Sequence, residues 1–172
     1  MIQTVRGDAT LPQGDGPRII VHNVNDAGLW GAGFVLALSK RWPAAEEAYR
    51  AWFKGEEFNP KSKVETSGKL VLGEVQLVRV GPRIWVVNLV GQHGVGMGPD
   101  NRSPIRYNAI QDGLKKIYRY ALTHQASIHM PKMGSGLARG NWAAVENLVK
   151  VELATKGISV TVYEWVPPPE GE

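Results

Sequence analysis

The 172-residue chain contains no cysteine. Disulfides, thiolate metal sites and a cysteine nucleophile are therefore excluded, and a cytoplasmic setting is expected. Long hydrophobic runs are also missing. None approaches the roughly 20 apolar residues that a bilayer-spanning helix needs, so no membrane partner is expected. Residues 1–5 carry neither a basic stretch nor an apolar one, and no signal peptide is expected. No pair of histidines stands with carboxylates at metal-ligand spacing, so neither a metal nor a cofactor is expected. Charge is not concentrated either. Twenty Lys and Arg against 16 Asp and Glu give a net charge of +4 and a pI near 9.4. That balance favours contact with phosphates, but the basic residues are scattered rather than striped, which does not mark a nucleic-acid binder.

Hydrophobic content of 43% and charged content of 21% are ordinary for a globular protein. Residues 2–6 read as a first strand and 18–22 as a second, a continuous apolar run suited to a central position covered on both faces. A helix begins at 34, is interrupted by Pro43, and resumes over 44–52. Residues 54–69 are polar and without period, and read as a surface excursion. Residues 71–80 and 84–90 are β-rich runs joined at Gly81-Pro82, which predicts an antiparallel hairpin. Residues 91–104, with four glycines and two prolines, read as a long loop. Ile110, Leu114, Ile117 and Ala121 give residues 105–124 a helical stripe. Gly113 lowers propensity there and is expected to permit close packing. Residues 127–130 form a strand, 141–156 a helix closed by Lys156-Gly157, and 158–163 a last strand. This order predicts an α/β fold, a three-layer α/β/α sandwich with a mixed central sheet, in a single domain over 1–165 with a Pro-rich C-terminal tail at 166–172.

Two strand–glycine loop–helix units stand out. One is Met130-Pro131-Lys132-Met133-Gly134-Ser135-Gly136-Leu137, continuing to Trp142 and carrying no acidic side chain. The other runs from His22-Asn23-Val24-Asn25-Asp26 to Gly31-Ala32-Gly33. Such a unit directs backbone N–H groups at a phosphate, and glycine lets a ligand approach the backbone closely. Each is also consistent with a tight turn alone. Ligands of such sheets bind beyond the carboxyl ends of the strands, and Asp8, Asn25, Gln92 and Gly134–Gly136 all follow strand ends.

These motifs, with Gly7-Asp8, Val87-Asn88-Leu89-Val90-Gly91-Gln92 and Val160-Thr161-Val162-Tyr163, resemble the macrodomains, the ADP-ribose-binding fold. The resemblance covers about residues 1–165. It is nearest to the branch of the terminal ADP-ribose protein glycohydrolase, with the related bacterial ADP-ribosyl hydrolases and ADP-ribose-1″-phosphate phosphatases. It implies that Asp8 accepts a hydrogen bond from the adenine amino group, or else caps a turn. Tyr163 would pack near the adenine, or be an ordinary strand aromatic. Gly134, Ser135, Gly136 and Leu137 would wrap the diphosphate, with Gly31, Ala32 and Gly33 on its other side. Asn25 would contact the distal ribose, or hold its own loop through an Asx-type bond.

The chain departs from that branch in one respect. The glycohydrolase uses a lysine just after the central strand and an aspartate in the second glycine loop. The matching positions here are Gly91 or Gln92, and Ala138; the neighbouring Arg139 cannot act as a base. A covalent lysine–aspartate route is therefore not expected. Hydrolysis at the anomeric carbon still needs a positioned water. Asn25, Asp26 and Gln92 are the catalytic candidates. Asp26 either orients a water or caps the following turn, and the two amides can hold a water or hydroxyl but cannot take a proton. His22 reads as a packed strand-end histidine and His93 as a solvated loop histidine.

The resemblance thus implies a hydrolase that removes ADP-ribose from modified proteins, with ester linkages to acidic residues first in line, or that hydrolyses 1″-O-linked ADP-ribose derivatives. A non-catalytic ADP-ribose reader is the alternative. ADP-ribose or an ADP-ribosylated protein is the expected partner, an ADP-ribosylated nucleic acid a further one. A dinucleotide oxidoreductase is disfavoured, because Leu36 stands where a third glycine would be needed.

Overall fold

Strand β2 (Arg18–Asn25) forms the centre of the sheet. Its β-branched residues suit an extended, two-sided environment. Ile19 and Val21 turn to one face, while Ile20, His22 and Val24 turn to the other. The computed structural model describes residues 1–58, 63–96, 102–133 and 140–165. Around β2 the described chain adds β1 (Ile2–Arg6), β3 (Val64–Thr66), β4 (Val75–Gly81), β5 (Ile84–Gln92), β6 (Ser127–Pro131) and β7 (Val160–Glu164). The sheet order is β1-β7-β6-β2-β5-β4-β3. The first five strands in that order are mutually parallel. β4 runs antiparallel to β5, and β3 to β4. The mixed sheet and the 71–90 hairpin therefore match the sequence reading.

Helices cover both faces. α1 (Phe34–Arg41) and α2 (Pro43–Lys54) pack on Ile20, Val24, Val86 and Val90 through Leu38, Ala45 and Tyr49. α3 (Tyr107–His124) and α4 (Trp142–Glu152) pack on Ile19, Val21, Val87, Leu89, Ile128 and Val160 through Ile110, Leu114, Ile117, Val145 and Val149. This is the three-layer sandwich. Pro43 separates α1 from α2 because it cannot continue a helix but suits the first turn of the next. Under α2 the sheet carries a buried polar net. Gln76 Nε2 donates to the Ala48 carbonyl at 2.9 Å, and Asn88 Nδ2 donates to the Ala45 carbonyl at 3.2 Å and to Gln76 Oε1 at 2.9 Å.

Several expectations are corrected. The 54–69 segment contains an edge strand, β3, whose partner β4 supplies the order that its own polar sequence does not show. β4 begins at Val75 rather than 71, and β7 runs over 160–164 rather than 158–163. α3 begins at Tyr107, because Ile105 is paired across to Gln92 as an isolated antiparallel bridge. The 141–156 helix ends at Glu152 and is followed by a 3₁₀ turn over Ala154–Lys156.

Gly113 does bring α3 against the sheet. A Cβ there would stand 2.6 Å from Leu89 Cγ, inside a packed core. Gly113→Val is expected to destabilise the fold by about 1–3 kcal/mol through overpacking. A lowered urea midpoint with an unchanged m-value would register it, and an unaltered midpoint would contradict the packing.

Candidate functional site

Because β1, β7, β6, β2 and β5 are parallel, their carboxyl ends share one edge of the sheet. The segment leaving β2 turns to α1 on one face, and the segment leaving the adjacent β6 turns to α4 on the other. Ligands of such sheets bind where neighbouring connections diverge in this way. Asp8 lies beyond β1, Lys132 beyond β6, the 26–33 segment beyond β2 and His93 beyond β5.

The 26–33 loop is built from beneath. Asn25 is buried, and its Oδ1 accepts from the N–H groups of Ala27 at 3.0 Å and Leu29 at 3.2 Å. Its Nδ2 donates to the Leu29 carbonyl. The Tyr49 hydroxyl donates to Asn25 O and Oδ1 at 2.7 and 2.9 Å. Burial pushes that phenol up to about 12. Asn25 therefore holds the loop in an Asx-type arrangement. Of the two roles expected for Asn25, the hydrogen bonds are those of the loop-holding one. Farther along, a Cβ on Gly28 would fall 2.4 Å from the Phe53 ring, so the loop rests on the end of α2. Trp30 is buried, with Nε1 donating to Ser39 Oγ at 2.6 Å. Gly31, Ala32 and Gly33 are exposed, and Gly31 and Gly33 have φ of 85° and 80°, a region that favours glycine. Gly33 is the N-cap of α1, no side chain caps that end, and its first turn carries no acid. The backbone N–H end of α1 thus faces outward from residues 31–33.

The segments after β2 and β5 are tied together. Asn25 and Gln92 are register partners, past a β-bulge. Asp26 N donates to the Gln92 carbonyl at 3.0 Å. Asp26 Oδ1 accepts from Gly94 N at 2.7 Å, and Oδ2 lies 2.8 Å from His93 Nδ1. Partial burial pushes the Asp26 carboxyl up, but the Gly94 N–H and the His93 ring outweigh it and hold the group below its ordinary value. Gln92 is half-buried; its Nε2 donates to the Gly94 carbonyl at 3.0 Å, and its Oε1 sits 3.5 Å from Asn23 Nδ2. The Asp26–His93 pair escaped the sequence reading, which took the two residues separately. Its signal lay in the register of β2 against β5, which sets the residue after Asn25 beside the one after Gln92.

At the other end, Asp8 Oδ1 accepts from Thr10 N at 2.8 Å and from Thr10 Oγ1 at 2.7 Å, so it caps the 8–11 turn. Its Oδ2 has no hydrogen-bond partner among the described residues, and Asp8 is half-buried. Tyr163 is only 3% exposed. Its hydroxyl accepts from Gln13 N at 2.8 Å and pairs with His129 Nδ1 at 2.7 Å. The ring is therefore packed among the described residues. It pins the 10–17 loop over the sheet.

His22 is packed, as read from the sequence. It is 2% exposed, with ring contacts to Trp30 and Phe34. Gly134, Ser135, Gly136 and Leu137 lie outside the described residues, as do Ala138 and Arg139. A cavity of about 550 Å³ opens by the N-terminus of α3, bordered by Leu72, Arg102, Arg106, Asn108 and Asp112. None of the expected site residues lines it. Among the described residues no group of three His, Asp or Glu side chains is placed to hold a metal ion. No helix among them is long and apolar enough to cross a membrane.

No family model matches the chain. It is 34% identical over 174 residues to the chromodomain-helicase-DNA-binding protein 1-like of Danio rerio, covering 94% of this chain and only 15% of that protein's length. A solved protein of unknown function from Bacteroides thetaiotaomicron is 44% identical, with a TM-score of 0.87, over 96% of this chain and 98% of the other. A structure of Thermosipho africanus DarTG in complex with ADP-ribose shares the fold, at 19% identity and a TM-score of 0.65, over 98% of this chain and 43% of that one. A macrodomain protein from Streptomyces coelicolor is 43% identical, with a TM-score of 0.78, over 95% of this chain and 99% of that one. By that likeness, across the full described architecture, the chain belongs to the macrodomain family.

Proposed function

We propose that this macrodomain binds ADP-ribose along the carboxyl edge of its parallel strands and hydrolyses 1″-O-linked ADP-ribose, on modified proteins or nucleic acids or in small derivatives, by a water-mediated route. The strand order carries the reading. From β1 to β5 are four strand spacings, ~19 Å in all at about 4.8 Å each. Asp8 stands at one end of that row, with a carboxylate oxygen left to accept from an adenine amino group. The exposed glycines at 31 and 33 and the uncapped start of α1 stand beyond β2, where backbone N–H groups suit a diphosphate. Asp26, Gln92 and His93 stand at the far end, where the distal ribose would fall. The fold shared with a DarTG structure in complex with ADP-ribose agrees with this ligand. Gly134, Ser135, Gly136 and Leu137 are proposed for the second wall of the diphosphate site. Asn25 and Tyr163 act through the loops they hold.

Calorimetric titration with ADP-ribose, run beside release of ADP-ribose from a glutamate-linked protein, tests the proposal. Gly33→Glu is expected to weaken binding by at least about 100-fold, because it sets a negative side chain before the anion-facing helix end and strains a positive-φ position. A folded Gly33→Glu protein with unchanged affinity would remove this loop from the site. Binding without release would favour the reader. One observation supports that second reading: the Asn25 amide is already engaged by its own loop.

A further inference from the structure

We propose that His93 is the general base of this hydrolysis, oriented by Asp26. The inference rests on the hydrolase reading above and specifies its chemistry. An ionised carboxylate only accepts hydrogen bonds, so the proton shared at 2.8 Å between Asp26 Oδ2 and His93 Nδ1 belongs to the ring nitrogen. In the neutral imidazole the Nε2 lone pair is then left bare. His93 Nε2 has no partner among the described residues, and the side chain is 63% exposed. The residue is nonetheless anchored through its backbone and through Nδ1. The backbone N–H of His93 donates to the Pro104 carbonyl at 2.8 Å, and Asp26 is itself held by Gly94 N at 2.7 Å. A base anchored by a carboxylate and open to solvent on its other nitrogen has the layout of an activated nucleophile's partner.

The reaction follows from these groups. His93 Nε2 takes a proton from a water as the water oxygen bonds to C1″. The C1″–O bond to the acceptor breaks, and its electron pair departs with the acceptor as a free carboxylate. The imidazolium then gives its proton to solvent. The products are ADP-ribose, the carboxylate and one proton. Among the described residues no second group at this end supplies an acid: Asp26 is held ionised, and Gln92 is an amide. A carboxylate leaving group needs none.

The test uses the full chain with a glutamate-linked ADP-ribosylated protein as substrate. His93→Ala is expected to slow release from the glutamate ester about 100- to 1,000-fold, in the range for a lost general base, with ADP-ribose affinity within about threefold. Imidazole added to the buffer is expected to restore part of the rate, which a merely structural role for His93 does not allow. Asp26→Asn is expected to slow release about 10- to 100-fold at the same affinity. Unchanged release by His93→Ala would overturn the base assignment while leaving the hydrolase reading in place. Equal losses of rate and affinity in His93→Ala would make His93 a binding contact and overturn it too. Binding without any release by the unaltered protein would sink both the inference and the hydrolase reading.

Discussion

Gly91→Lys is expected to unfold this protein at moderate temperature rather than give it the lysine of the glycohydrolase branch. The sequence places that lysine at Gly91 or Gln92, and the structure separates the two. Gly91 is buried. A Cβ there would stand 2.5 Å from Asn23 Oδ1 and 2.6 Å from Ile110 Cγ1, with Leu89 Cδ2 at 3.2 Å. Ile110 belongs to the fully buried core, so the clash has no solvent to relax into. Overpacking of this kind costs about 1–3 kcal/mol. An ammonium started from the same position would add several kcal/mol of desolvation unless the chain parted to let it out. A total of about 5 kcal/mol corresponds to a fall in melting temperature of roughly 10–20 °C for a chain of this size. Gln92→Lys places the same group on a half-buried residue at the site and is expected to shift the melting temperature by only a few degrees. Thermal melts of both variants decide the matter. A stable Gly91→Lys protein would mean that β5 and α3 are not packed as described.

The same pair of residues shows where the sequence was legible. Buried strands with β-branched runs, such as β2 and β5, and helices with a sustained stripe, such as α3, declare themselves because burial imposes the period that is read. β3 does not. Its three residues are half-buried or exposed, and its order comes from pairing with Val78, Leu77 and Gln76. Ile105 continues the apolar stripe of α3 in sequence, yet its backbone is taken by Gln92, so tertiary pairing overrides the pattern. The site was legible as a set of strand-end residues but not as a set of partners. Tyr163 meets Gln13 across 150 residues, and His93 meets Asp26 across 67. Neither contact leaves a local mark. Both follow once the strand order and register are known, because strand ends at one sheet edge must share space. Asn25 shows the opposite case: its loop-holding role was available from the sequence as an Asx turn.

Acidification from pH 7.5 to pH 5 is expected to remove about 3–4 kcal/mol of stability, through two buried histidines rather than through the carboxylates. Burial lowers His22 to about 4 against the partial opposition of its bond to Asn88. The tautomer explains why protonation is resisted. Both N–H bonds of Asn88 are committed to Ala45 and Gln76, so Asn88 Oδ1 faces His22 Nε2 and that nitrogen carries the proton. Among the described residues Nδ1 is buried without a partner, and a second proton there would find no acceptor. His129 is also lowered to about 4, by burial and then by the nearby Arg18 charge. In the unfolded chain both titrate near 6.5. The unfolded state therefore binds more protons between pH 6.5 and 4, and stability falls as pH falls through that window. Each histidine contributes at most about 1.4 kcal/mol per pH unit there, so about 2 kcal/mol each by pH 5. His129 should give somewhat less, because local opening of the 10–17 loop offers it a cheaper route to solvent. Asp26, Glu46 and Glu74 are held below their ordinary values, so their share is lost only at lower pH. Urea unfolding at pH 7.5, 6 and 5 measures the slope, and His129→Gln should remove close to half of it. A flat profile across that range would contradict both burials. His22 also packs edge-on against Trp30 at 5.4 Å and tilted against Phe34 at 5.8 Å, the residues that bracket the exposed 31–33 loop. Its protonation should therefore loosen the edge beyond β2 before the sheet parts, and ADP-ribose, bound there as proposed, should steepen the measured slope, because its binding disfavours the protonated form.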